Sequence, residues 1–262
     1  MSSLQEILDR LAPADDGFGL DVPQEWGQGR TLYGGMSAAL AYTAVVRAFG
    51  DLGPLRSAQF AFIGPAAGRL TVQPTLLRQG RSSAIASADS HTEDGIAARA
   101  TFVFGAARES LIAHDHVPRA AVPPPDTCEP FHRSARQLPG FIARYEYRLA
   151  AGARILEPDK LPEFAVWVRL RDGDAADPVA TLLAVADALP GAALAAAPRL
   201  APISTMTWAI DLHQPLACRP GWHLVRSASE QAAEGYSVQA MRMFNADGAP
   251  LASARQVVAV FV

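Results

Sequence analysis

Two Asp-Gly dipeptides constrain this chain more than any other feature. Asp94-Gly95 and Asp247-Gly248 each fall between runs of alternating apolar and polar residues. Glycine accepts the positive φ of a primed turn, so each dipeptide predicts a tight antiparallel hairpin. The surrounding pattern occurs twice. In the first half, extended stretches over 70–77 and 83–90 flank Gly80 and a third covers 97–104; in the second, 222–229 and 237–244 flank Gly235 and the last covers 251–262. Each half therefore ends in a three-stranded antiparallel meander. Pro74, inside the first stretch, has no N–H to give a central ladder and predicts an edge or bulged strand.

One helix-length apolar segment precedes each meander, over 35–49 and over 178–189. Asp177-Pro178 announces the second, with an N-cap acceptor followed by a proline at the first helical position. A helix that is apolar nearly all round must be surrounded by protein, and a curved sheet wrapped round it is a simple way to achieve that. The expected fold is α+β, a double hot-dog: two repeats, each an antiparallel sheet wrapped round a central helix. The stretch 116–130 holds five prolines and reads as an exposed connector. The expected organisation is an N-terminal unit over 1–115, a Pro-rich linker over 116–135 and a C-terminal unit over 136–262.

Composition excludes several function classes. With 23 Lys+Arg against 26 Asp+Glu the formal charge is −3, whereas nucleic-acid or anionic-membrane binding needs a basic excess or stripe. At 50% hydrophobic and 19% charged residues the 262-residue chain can bury a large core. Cys128 and Cys218 lie far apart without metal-ligand spacing, which argues against zinc or a disulfide framework and for a reducing cytoplasm. The first ten residues lack the cationic start of a secretory signal, and the alanine-rich stretch 192–197 falls far short of the roughly 20 apolar residues of a membrane span. No phosphate loop, dinucleotide fingerprint, HExxH or GxSxG is present, and no metal or redox cofactor is expected. His114 and His116 read as loop residues.

Asp187 is the informative side chain. Apart from Thr181 it is the only polar residue in the run 179–189, and a carboxylate on a helix packed on every side loses its hydration at high cost unless partnered. Its place near the helix C-terminus adds an unfavourable dipole for the anion, so its pKa should move up, towards that of a general base. The alternative is a wet stripe with Asp187 in solvent. In the last strand the period of two puts Ala252, Ala254, Gln256, Val258 and Val260 on one face, so Gln256 projects inward and needs partners. In the strand over 204–213, Thr205 and Thr207 share one face while Met206, Trp208, Ile210 and Leu212 share the other.

In order and spacing these residues resemble the acyl-CoA thioesterase II family of double hot-dog thioesterases. The likeness is carried by Leu32-Tyr-Gly-Gly35, by Leu76-Leu-Arg-Gln-Gly-Arg-Ser-Ser83, by the stretch from Thr205 to Pro215, by Asn245-Ala-Asp-Gly248 and by Leu251-Ala-Ser-Ala-Arg-Gln256. The resemblance implies a water-activating triad of Asp187, Thr205 and Gln256, with Ser204 or Thr207 as the counterpart if the strand slips by a step. It implies acyl-CoA as substrate; the developing oxyanion of such a reaction needs donors, and the backbone N–H groups at the helix N-terminus around Gly34 and Gly35 are the candidates. Met36, where the family carries a polar residue, and the small-residue run 190–197 depart from its pattern at the expected pocket. A second copy of the chain is the expected partner. The competing expectations are a hot-dog enoyl-CoA hydratase and a non-catalytic acyl-CoA binding protein.

Overall fold

The computed structural model describes residues 2–133 and 138–262; the expected boundary between linker and second unit, at 135/136, lies outside them. The first half contains α1 (Leu4–Asp9), β1 (Ala12–Ala14), β2 (Gly17–Asp21), β3 (Gly27–Gln28), β4 (Thr31–Leu32), α2 (Gly34–Phe49), β5 (Leu55–Phe62), β6 (Arg69–Gln79), β7 (Ser83–Thr92) and β8 (Gly95–Gly105). The second contains β9 (Glu129–Pro130), β10 (Tyr145–Gly152), β11 (Glu163–Leu170), α3 (Pro178–Ala186), β12 (Ile203–Leu212), β13 (His223–Ala233), β14 (Tyr236–Phe244) and β15 (Pro250–Val260).

Among the described residues, every strand except the β3–β4 hairpin joins one sheet of 13 strands, in the order β1-β2-β6-β7-β8-β5-β12-β15-β14-β13-β11-β10-β9. The order reads alike outward from its middle: β5 is followed by β8, β7, β6 and β2 on one side, and β12 by β15, β14, β13 and β11 on the other. Both expected meanders are present, as β6-β7-β8 and β13-β14-β15. Their turn glycines, Gly95 and Gly248, take φ of 114° and 74°. The halves fuse where β12 pairs with β5, with Trp208 opposite Phe60. Pro74 stands just past Val72, where the pairing of β2 to β6 stops, and a bulge follows between Leu76 and Arg78. A proline there costs no ladder bond on its open side.

Elements beyond one helix and one meander per half were not visible in the alternation. α1 carries a capping box, with Ser3 accepting from the Glu6 backbone and Glu6 accepting from that of Ser3. β11 was hidden for a different reason: it is buried on both faces, so its apolar run does not alternate. Val166 and Val168 enter the main core, while Ala165 and Trp167 pack with Leu224, Phe244 and Cys128 on the other side. The proline connector supplies that cover. Trp167 donates to the Pro123 carbonyl at 2.9 Å, and the connector ends as β9, paired to β10. It is mostly exposed, as expected, but its C-terminal end belongs to the sheet.

The two long helices lie side by side and antiparallel. At one end Tyr42 donates to Asp177 at 3.1 Å, and Asp177 caps α3 through the backbone N–H groups of Val179 and Ala180. At the other end the start of α2 meets the end of α3 at backbone distance. A Cβ on Gly35 would stand 2.7 Å from the Ala184 carbonyl oxygen and 2.7 Å from the Tyr33 ring. α2 rests on β6, β7 and β8, and every residue from Ala180 to Ala186 in α3 is buried.

Because neither helix can move without disturbing the sheet, Gly35→Ala should lose about 1–3 kcal/mol of stability by overpacking. Denaturant unfolding checks this. An unchanged or higher midpoint would mean that the helices are free to separate.

Candidate active site

The junction of α2 and α3 is where the polar side chains converge. α3 ends at Ala186, so Asp187 is its C-cap, with φ −100° and ψ 13°, rather than a residue inside the helix. Helix-end carbonyls need donors, and tyrosines supply them. Tyr33 donates to the Ala184 carbonyl at 3.1 Å, Tyr147 donates to that of Ala188 at 3.2 Å, and Tyr145 is hydrogen-bonded to the Tyr33 hydroxyl. Burial raises the pKa of all three phenols, which keeps them protonated as donors. Phe141 stacks on Tyr33 with centroids 4.3 Å apart. The backbone carrying Asp187 is thereby held from both sides.

The carboxylate itself has two donors. Gln256 Nε2 donates to Asp187 Oδ1 at 2.6 Å, and the Gly35 backbone N–H donates to the same carboxyl group. A Cβ on Gly34 would lie 2.6 Å from Asp187 Oδ2, so glycine is required for α2 to approach this closely. Loss of hydration dominates the electrostatics: burial drives the Asp187 pKa up from 3.8 to about 7, while the bonds from Gln256 and Gly35 pull it back. The expected dipole of α3 is accompanied by an opposing one, since the N-terminal end of α2 faces the same anion. That second helix end could not be read from the local sequence.

Strand geometry places the other two residues. On β15, Ala252, Ala254, Gln256 and Val258 are buried on one face as the alternation predicts, with Val260 half-buried. On β12 the expected alternation is wrong at its start. A bulge between Thr205 and Thr207 inserts Met206 as an extra residue, so Thr205 falls opposite Val258, and Trp208 opposite Gln256. Thr205 thus joins the inward side of Trp208, Ile210 and Leu212, whereas Met206 and Thr207 are exposed. A bulge re-aims a side chain in this way. Of the three hydroxyl candidates, Thr205 lines the cavity that holds Asp187 and Gln256; Ser204 and Thr207 do not.

That cavity measures about 410 Å³, and its wall is otherwise mainly apolar, including Phe141, Ile142, Ile155, Leu189 and Leu194. A second cavity of about 480 Å³, lined by Gly34, Ser37 and Phe62, shares Gln28, Gly29, Pro202, Ile203 and Thr205 with the first. Thr205 therefore stands where the two meet. The β3–β4 hairpin closes over this border, with Gln28 Nε2 3.5 Å from the Ile203 carbonyl oxygen.

Sequence reading missed Gln239, which is 1% exposed and donates to Gln256 Oε1 at 2.5 Å. The signal was present. A hairpin centred between Asp247 and Gly248 sets Gln239 opposite Gln256, the observed register. His132 also lines the cavity and was not singled out; burial drives its pKa down to about 4. His114 and His116 are exposed, and among the described residues no group of three or more His, Cys, Asp or Glu is placed to hold a metal ion.

The family model for the acyl-CoA thioesterase N-terminal domain matches residues 22–105, and that for the C-terminal domain matches residues 125–260. The chain belongs to the acyl-CoA thioesterase family. No curated protein matches it in sequence. Among solved structures it is similar to a conserved protein of unknown function with hot dog fold from Alicyclobacillus acidocaldarius, with a TM-score of 0.85 at 22% identity over 98% of each chain. It is also similar to the tesB protein of Mycobacterium avium subs paratuberculosis, with 0.78 at 18% identity over 98% of this chain and 99% of that one. The acyl-CoA thioesterase II TesB2 of Mycobacterium marinum matches with 0.73 at 19% identity over 98% of each. At such identities the likeness establishes the hot-dog fold, and the family models establish the thioesterase domains. Among the described residues no helix is long and apolar enough to cross a membrane.

The raised pKa of Asp187 has a consequence for stability in this thioesterase-family chain. A carboxyl group that holds its proton more tightly when folded makes the native state bind more protons than the unfolded one, so stability falls as pH rises from about 4 to about 7. The full span is on the order of 4 kcal/mol. The melting temperature of Asp187→Asn relative to wild type should therefore climb by several degrees between pH 5 and pH 8. A constant difference would show Asp187 to be ordinarily acidic.

Proposed function

We propose that this chain hydrolyses fatty acyl-CoA thioesters to the free acid and CoA, with Asp187 as general base and no covalent intermediate. The observation that carries the proposal is the buried 2.6 Å hydrogen bond from Gln256 to Asp187 on the wall of a largely apolar cavity shared with Thr205. A carboxylate with a pKa near 7 is well matched to taking a proton at neutral pH. Thr205 and the second Nε2 proton of Gln256 position the water. As it attacks the thioester carbon, its proton passes to Asp187 and a C–O bond forms. The tetrahedral adduct then collapses, the C–S bond breaks, and the proton on Asp187 neutralises the departing thiolate.

The developing oxyanion needs a donor. Gly35 gives its N–H to Asp187, so within the glycine pair we assign this role to Gly34, whose N–H is at the first position of α2 and has no intrahelical acceptor. The acyl chain lies in the apolar cavity and the CoA arm leaves past the β3–β4 hairpin. In this reading the two halves, 1–115 and 136–262, are copies of one hot-dog unit joined by 116–135, and the symmetric strand order supports it. A homo-oligomer is the expected assembly.

One observation favours a second reading. His132 lines the same cavity as Asp187, and a hot-dog enoyl-CoA hydratase needs such an acid/base pair. Its depressed pKa leaves it neutral and a poor acid, which weighs against this alternative.

Thiol release from short, medium and long acyl-CoA substrates tests the proposal. Asp187→Asn should slow hydrolysis by roughly 10²–10⁴-fold, and Thr205→Ala and Gln256→Ala should slow the same step while the fold is kept. Equal rates in wild type and Asp187→Asn would remove the base. Acyl-CoA binding without turnover would favour a binding protein, and hydration of an enoyl-CoA would favour the second reading.

A further inference from the structure

Gln239 and Gln256 form a chain of amides with only one consistent polarity. The chain starts at the Ala192 backbone N–H, which can only donate, and it does so to Gln239 Oε1 at 2.9 Å. With its oxygen thus engaged, Gln239 turns its Nε2 toward Gln256 and donates to Oε1 at 2.5 Å. Gln256 in turn presents Nε2 to Asp187 Oδ1 at 2.6 Å. Both glutamines are buried, at 1% and 3% exposure, so water does not compete for these bonds. Without Gln239 the Gln256 amide is free to turn over, and its oxygen would then accept from a protonated Asp187 and favour the acid over the anion.

We infer that Gln239 is a positioning residue: anchored on Ala192, it holds Gln256 with its N–H toward Asp187, so that the anion is the hydrogen-bonded form of the carboxyl. The inference rests on the reading of Asp187 as general base. The groups that face Asp187 from the packed elements are the Gly35 N–H on α2, Gln256 on β15, Tyr33 at the start of α2, Tyr145 on β10 and His132 on the cavity wall, with Tyr147 on the neighbouring Ala188 carbonyl. Burial keeps the phenols protonated and the imidazole neutral. None of these groups is charged at neutral pH, so the N–H donors are what opposes burial in setting the proton affinity of Asp187.

The test is the Asp187 titration midpoint, followed by carboxyl ¹³C NMR on the full chain in wild type and Gln239→Met, with Asp187→Asn to assign the resonance. Gln239→Met keeps the volume and removes the donor. The midpoint should rise by about one to two pH units, the size of one hydrogen bond to a charged group. Acyl-CoA hydrolysis by Gln239→Met should fall about tenfold or more in kcat at pH 7 with KM little changed, and climb again through the raised midpoint. An unmoved midpoint, or a loss of activity equal at every pH, would overturn the inference. A raised midpoint in a protein that hydrolyses no acyl-CoA would uphold the relay and sink the thioesterase reading instead. If Gln239→Met does not fold, Gln239→Glu keeps an acceptor for Ala192 but cannot donate when ionised. An unchanged midpoint there would equally overturn the inference.

Discussion

The structure depends on one desolvated carboxylate held where the end of one helix lies beside the start of its antiparallel neighbour. Asp187 sits at the C-terminus of α3, against the N-terminus of α2, and each helix leaves backbone groups there that need partners. Nearby features serve that contact. Gly34 and Gly35 let α2 come within backbone distance, the tyrosine hydroxyls hold the carbonyls on either side of Asp187, and Gln256 reaches across from the sheet to its oxygen. Close packing strips most of the hydration from the carboxyl group, which keeps contact with the cavity. That loss raises its proton affinity, and the amides limit the rise.

The meanders were legible because each has one solvated face and a glycine turn, so the period of two and the Asp-Gly signals agree. β11 was not, because both its faces are buried. Asp187 and Gln256 were legible by the same logic, as polar residues on faces that must be apolar. The N-cap at Asp177 followed from side-chain chemistry alone.

Thr205 marks the limit of that logic. Strict alternation puts it on the face opposite Trp208, and only the bulge at Met206 turns it inward. Family resemblance singled Thr205 out where periodicity turned it away, because the extra residue is visible only against the partner strand. The role of Gly35 shows the same limit. Its N–H meets Asp187 through the packing of helices more than a hundred residues apart in sequence, whereas local reading could say only that glycine begins a helix. Gln239 differs from both, since the hairpin register that pairs it with Gln256 is readable from the turn.

The central claim is that a carboxyl group titrating near neutrality activates water for thioester hydrolysis. The pH dependence of kcat/KM for a hydrolysed acyl-CoA, measured on the wild-type protein from pH 5 to pH 9, tests it most directly. The account predicts a rise of about tenfold per pH unit on the acid side, bending to a plateau near pH 7, where Asp187 becomes ionised. A profile already flat at pH 5 would contradict it, because the carboxyl would then be an ordinary acid and its burial would have no bearing on the reaction.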